Sequence, residues 1–349
     1  MSADVVEAPV ATGAAMAARR RRRVVGLLGL LALLVASLLL SVAVGARPLS
    51  PGEVWSALVS PTGTDADVVV RSLRVPRTLL ALLVGCALGV AGALIQGHTR
   101  NPLADPGLLG VSAGAAFAVV LAIYAFGIST PSGYLWFSFA GALLASVLVF
   151  GLGSLGGRAG DPLTLALAGA AVSAFLGALT SAMVLLDQNT LDGFRFWAVG
   201  SVAGRGTDVL EQVTPFLLAG IVVAIASTPS LNVLNLGEDV ARSLGQNVVL
   251  GRMVGILAVT VLTGAATAAC GPIGFVGLVV PHVARAITGP DYRWLVPTSA
   301  LLGGILLLCA DVVGRVVVRP GELQVGIVLA LVGAPFFIAL VRRRKLLAL

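Results

Sequence analysis

One carboxylate lies deep in an apolar run of this chain: Asp311, in LLLCADVVGR, with Arg315 four residues on. A lone charge at membrane depth costs ~2.5 to 3.5 kcal/mol or more, so an acid there either works, as in a proton relay, or is paired. The spacing puts Asp311 and Arg315 on one helical face and favours structural pairing. The two histidines, His98 and His282, lie beside apolar runs where each could line a gate or cap a turn. A metal centre needs more ligands than these two supply, so no metal is expected. Gly110, Ser112 and Gly114 match G-x-S-x-G, the pattern of a serine nucleophile elbow. That elbow needs a strand, a sharp turn and a helix, whereas here a proline turn runs directly into an apolar span. Cys86, Cys270 and Cys309 sit in apolar runs without a C-x-x-C pair and read as small core residues. The single lysine, Lys345, excludes a G-x-x-x-x-G-K-[ST] phosphate loop. No catalytic residue and no cofactor are expected, and if ATP drives this chain, the nucleotide site is on another polypeptide.

The elements that carry these residues follow from composition. With 58% hydrophobic residues, 11% charged and a mean hydropathy of +1.01, the chain is a polytopic, all-α membrane protein. A spanning helix needs about 20 apolar residues. That length gives ten spans, at 24–45, 78–97, 107–128, 134–156, 163–186, 213–229, 252–270, 272–288, 295–318 and 323–341. The span at 272–288 carries Pro272, Pro281, His282 and Arg285 and reads as short or broken. Residues 1–23 read as a disordered basic cytoplasmic tail, and 24–345 as one transmembrane domain.

Between Arg74 and Gly114 the sequence RNPLADPGLLG interrupts two apolar runs, and Pro102 and Pro106 each remove a backbone donor. Irregular backbone at membrane depth is tolerated only where protein or a cavity surrounds it. Gly107, Gly271 and Gly274 beside proline turns point to discontinuous helices near a pathway. The pairs Gly85 and Gly89, Gly110 and Gly114, and Gly200 and Gly204 have small-xxx-small spacing, which predicts close helix approach.

An even number of spans puts both termini on one side. The runs Arg19 to Arg23 and Arg342 to Lys345 make that side cytoplasmic by the positive-inside rule. Most of the 23 lysines and arginines then face inward, so the net charge of +7 reflects topology and lipid contact rather than nucleic-acid binding. Against this bias, Arg71, Arg74 and Arg77 fall at the outer mouth before the second span, and Arg315 and Arg319 near the outer end of the ninth. Simple snorkelling at helix ends is the alternative account of them. The inner loop VLNLGEDVARSLGQN, within about 230–250, has a short helical pattern from Glu238, an acidic first turn and a stop at Gly245.

The segments RVPRTLLALLVGCALGVAGA, RNPLADPGLLGVSAG, FRFWAVGSVAGR, LNLGEDVARSLG, GPIGFVGLVVPHVARAITGPDYRWLVP and ADVVGRVVVRPGELQVGIVLALVGAPFF resemble those of the FecCD-type permeases. These are the membrane subunits of ABC importers for ferric siderophores, haem and vitamin B12. The resemblance covers about residues 47–345. It implies the ten-helix, type II ABC importer permease fold in the cytoplasmic membrane and import of a ferric siderophore by alternating access, with haem or cobalamin as alternatives. An ion-driven secondary transporter is the rival class. The implied partners are a second permease, identical or related, two cytoplasmic ATPase subunits and an extracytoplasmic binding protein. The resemblance further implies that Arg74, Arg77 and Arg315 meet acidic residues of the binding protein. It implies that Gly237, Glu238, Arg242 and Gly245 belong to the segment engaging the ATPase, and that Thr164, Phe194, Trp197 and Gly200 line the pathway.

Overall fold

A computed structural model describes residues 13–45, 47–154 and 162–342. The helices are, in order, α1 (Gly13–Ala43), α2 (Pro51–Val59), α3 (Asp65–Val68), α4 (Val75–Thr99), α5 (Val111–Phe126), α6 (Pro131–Ser154), α7 (Pro162–Leu186), α8 (Gln188–Ala198), α9 (Thr207–Leu234), α10 (Glu238–Ser243), α11 (Val248–Cys270), α12 (Val276–Thr288), α13 (Tyr292–Val317) and α14 (Val325–Arg342). No strand occurs among the described residues. Each of the ten apolar runs carries one helix. Seven helical stretches are long and apolar enough to cross a membrane, while those at Val111–Phe126, Val276–Thr288 and Val325–Leu340 are shorter. At ~1.5 Å per residue, the 13 residues of α12 reach about 20 Å, so this helix begins inside the bundle.

Several boundaries differ from the sequence reading. Helix α1 starts at Gly13 and takes in the arginine run, because nothing after Gly13 breaks it and alanine and arginine are strong helix formers. The tail before Gly13, Arg158 between α6 and α7, and the basic run beyond Arg342 lie outside the described residues. Gly110, Gly200 and Gly204 do not sit in helix interiors. Their φ angles are +70°, +76° and +68°, so they turn the chain rather than seat one helix on another. Three short helices, α2, α3 and α8, had no apolar run to announce them. Helix α2 is started by a capping box of Ser50 and Glu53 with Pro51 in its first turn. Helix α8 is capped by Asp187, which accepts from the backbone N–H and hydroxyl of Thr190 at 2.8 and 2.6 Å.

Helix α4 is the hub. Its apolar window is 78% buried, against 11% for α1 and 17% for α7, whose sides are left for lipid or partner subunits. It packs antiparallel on α13, and a Cβ at Gly85 would collide with the carbonyl oxygen of Gly303, as would one at Gly89 with that of Ser299. Such close approach replaces the hydrophobic driving force that helices lack in lipid with dispersion contacts. Substituting Gly85 with valine is therefore expected to destabilise the bundle by about 1 to 3 kcal/mol or more by overpacking. Thermal unfolding in detergent checks this, and an unchanged midpoint would show that α13 can move aside.

Candidate functional site

Three helix breaks meet in the interior. Helix α11 stops at Gly271, α8 gives way to irregular chain after Ala198, and α14 begins only at Val325. Ser201 N donates to the Cys270 carbonyl at 2.7 Å, and Gly326 N donates to the Gly200 carbonyl at 3.1 Å. Each break thus satisfies backbone groups that another leaves open. Phe194 and Trp197 stack at 5.9 Å beside this junction, and Trp197 is 2% exposed. The structure brings Phe194, Trp197 and Gly200 together. Thr164 is not with them: it lies in the first turn of α7, about 33 Å along that helix from the α8 end.

A fourth break follows α4. Arg100, at φ +47°, ends the helix, Asp105 Oδ1 accepts from Gly107 N at 2.8 Å, and a short turn over Pro106–Leu109 leads into α5. Ser112 lies in the first turn of α5, where it lines a cavity of about 100 Å³ with Asp105, Thr263 and Thr267. Neither histidine lines that cavity, and its one carboxylate, Asp105, accepts from Gly107 N, so among the described residues no histidine base serves Ser112 in the manner of a hydrolase triad.

At the end of the bundle where α4 begins, Asp311 is held by two arginines. Arg77 donates through Nε to both carboxylate oxygens at 3.1 Å and through Nη2 at 2.7 Å, and Arg315 Nη2 approaches at 2.8 Å. Arg77 Nη1 reaches Glu322 at 2.7 Å. Arg315 also donates to the carbonyls of Ser41 and Val44 at 2.9 Å and to Ser41 Oγ at 2.8 Å. Arg74 donates to the carbonyls of Val42, Ala43 and Arg47 at 2.9, 2.7 and 2.5 Å. Both thereby cap the C-terminus of α1, whose last carbonyls have no intrahelical donor and carry the negative end of its dipole. Arg74 and Arg315 are only 5% and 2% exposed, so neither offers a free guanidinium to a partner in this conformation.

At the opposite end, Gly237, at φ +121°, opens α10 and Gly245, at φ +78°, follows it. Glu238 divides between Arg242 on its own helix at 3.2 Å and Arg252 of α11 at 2.5 Å. Arg100 Nη2 donates to the Leu234 carbonyl at 2.8 Å, joining the end of α4 to the end of α9. The rim of this turn exposes Leu236 and Leu244, at 66% and 64%, and half-exposed Val240 alongside the charged side chains of Asp239 and Arg242. His98 packs under Gly255 and His282 meets the edge of Phe336. Among the described residues no three His, Cys, Asp or Glu side chains converge as metal ligands.

The sequence reading missed Glu322, Ser41 and Arg252 as partners in these clusters. Only the excess of arginines at one end hinted at acids there, and nothing local linked residues more than 200 positions apart.

Comparison with known proteins gives a consistent answer. The model of the FecCD transport family matches residues 33–343. The chain is 48% identical over 324 residues to the ferric enterobactin transport system permease protein FepD of Escherichia coli, covering 92% of this chain and 96% of that one. It is 41% identical to the iron(3+)-hydroxamate import system permease protein FhuB of Bacillus subtilis, over 92% of this chain and 84% of that one. It is 39% identical to the hemin transport system permease protein HmuU of Yersinia pestis, over 90% and 95%. A solved chain, described as an inward-facing metal-chelate type ABC transporter, superposes with a TM-score of 0.79 at 29% identity, over 93% of this chain and 99% of that one.

Removing one member of a buried ion cluster leaves charge uncompensated. Asp311→Asn is expected to cost about 3 to 5 kcal/mol and to lower the unfolding midpoint of the purified protein. If the variant keeps its stability and instead loses sensitivity to a proton gradient, Asp311 is a proton carrier and not a structural partner.

Proposed function

Because the chain belongs to the FecCD transport family, we propose that it is the permease subunit of an ABC importer that carries a ferric siderophore across the cytoplasmic membrane. The observation that carries this reading is the family match across nearly the whole chain, together with likeness to permeases named for ferric enterobactin and ferric hydroxamate. Likeness to a hemin permease keeps haem as a second cargo.

In this reading the α10 end faces the cytoplasm and both termini lie there. Two ATPase subunits engage the turn from Gly237 to Gly245. The pairing of Glu238 with both Arg242 and Arg252 supports such a role, since it ties α10 to α11 and lets a push on α10 reach the broken interior. Exposed Leu236 and Leu244 supply the apolar surface that a partner would bury. A second permease, identical or related, completes the pathway, with Phe194, Trp197, Gly200 and Thr164 toward it. The junction of helix breaks is the part suited to change between outward-open and inward-open states, because few helical hydrogen bonds must break there.

An extracytoplasmic binding protein docks at the opposite end. Arg74 and Arg315 contribute by holding the end of α1, and Arg77 by presenting Glu322 and its own partly exposed edge. Charge on this rim orients a partner and speeds encounter more than it adds affinity.

Cells lacking the chain should lose uptake of radio-labelled ferric siderophore, with uptake restored by complementation and abolished by ATP depletion. Uptake that survives ATP depletion would instead make the chain an ion-driven carrier. Leu236→Asp combined with Leu244→Asp should leave the bundle folded but abolish both uptake and co-purification of the ATPase. Normal uptake by this double variant would remove α10 from the coupling path.

A further inference from the structure

We infer that the meeting of two proline breaks in the bundle interior is a site for a monovalent alkali cation, bound by Asp105 and the hydroxyls of Ser112, Thr263 and Thr267. The inference goes beyond the importer reading and does not depend on the cargo.

The two breaks abut. One is the turn between α4 and α5, which runs through Pro102 and Pro106, and the other is the chain between α11 and α12, which runs through Pro272. A Cβ at Gly277, in the first turn of α12, would stand 2.9 Å from the ring of Pro106, and Gln96 Nε2 of α4 donates to the Gly277 carbonyl at 3.3 Å. Between the breaks lies the cavity of about 100 Å³ lined by Asp105, Ser112, Thr263 and Thr267. It offers several times the room that one water needs.

The polar groups around it lack partners. Thr263 and Thr267 stand one turn apart near the end of α11 and are 4% and 2% exposed. Among the described residues no hydrogen bond engages the hydroxyl of Ser112, Thr263 or Thr267, although a helical threonine can donate to the carbonyl four residues back. Asp105 Oδ1 accepts from Gly107 N at 2.8 Å, whereas Oδ2 has no donor. Among the described residues Asp105 also forms no ion pair. A sheltered carboxylate without a countercharge is costly, and a bound cation removes that cost.

The donor set selects the ion. Four side chains offer hard oxygen and one negative charge, and the end of α11 adds the negative end of its dipole, as broken helices do at alkali-ion sites. The start of α5 opposes this with a partial charge, so the full charge of Asp105 decides the sign. A divalent ion would draw on more carboxylates than the one that lines this cavity. A monovalent ion matches the charge and ties α11, the start of α5 and the turn before it to one centre.

The test uses the full-length chain in nanodiscs, with choline replacing sodium at constant ionic strength so that screening does not change. Radio-labelled sodium should bind saturably, at one ion per chain, and sodium should raise the unfolding midpoint because it binds the folded protein alone. Asp105→Asn keeps an acceptor for Gly107 N and should abolish both effects. Thr267→Val keeps the shape of the side chain, and Ser112→Ala removes one oxygen. Each should weaken sodium binding about tenfold while leaving the midpoint in choline unchanged, so these two decide even if Asp105→Asn fails to fold. Absence of saturable sodium binding, or binding that the variants leave unchanged, overturns the proposal. A midpoint that ignores sodium but falls as pH rises, with that fall absent in Asp105→Asn, would assign the cavity to a proton and also overturn it.

Discussion

Inside a bilayer no water answers a free N–H or C=O, and this requirement governs where the chain can leave helical geometry. The interior departs from it at Gly200, at Gly271 and before Val325, and the three departures are brought together so that each completes another's hydrogen bonding. Glycine makes the meeting possible. A Cβ at Gly200 would strike the Pro272 carbonyl, and one at Gly271 that of Trp197. The irregular segments thus close part of their hydrogen bonding on one another without a continuous helix.

The same logic extends to charge. Arginines at the end of the bundle where α4 begins supply the donors that the last carbonyls of α1 and the carboxylate of Asp311 need. A lysine would supply one point charge, whereas the guanidinium fork lets Arg315 reach Asp311, Ser41 and Val44 at once. A peripheral helix with an 11% buried apolar window is thereby locked to the most buried one. The cations that brace α1 also line the recess at that end of the bundle.

The two ends differ in kind. One presents buried, shared charge around a recess, and the other an exposed turn of mixed leucine and charged side chains tied to α11 by Glu238. Glu238 has two arginine partners on different helices and, with the packing of Ala241 against Leu234 and Val248, ties α10 to α11.

The sequence by itself determined the membrane class, the place of all ten apolar helices, the breaks at proline and glycine, the short helix from Glu238 and the lack of a phosphate loop. These are local properties, carried by runs, periods and residues that forbid a conformation. It also paired Asp311 with Arg315, because four residues is one helical turn. Only the tertiary structure decided that Arg77 shares that carboxylate, that Arg74 and Arg315 turn to the end of α1, and that Gly85 meets Gly303. It likewise turned Gly200 and Gly204 from a helix seam into bends and revealed α2 and α8, which no apolar run marks. Pairings across more than 200 residues leave no period in the chain, and a side chain's partner is fixed by the packing that surrounds it.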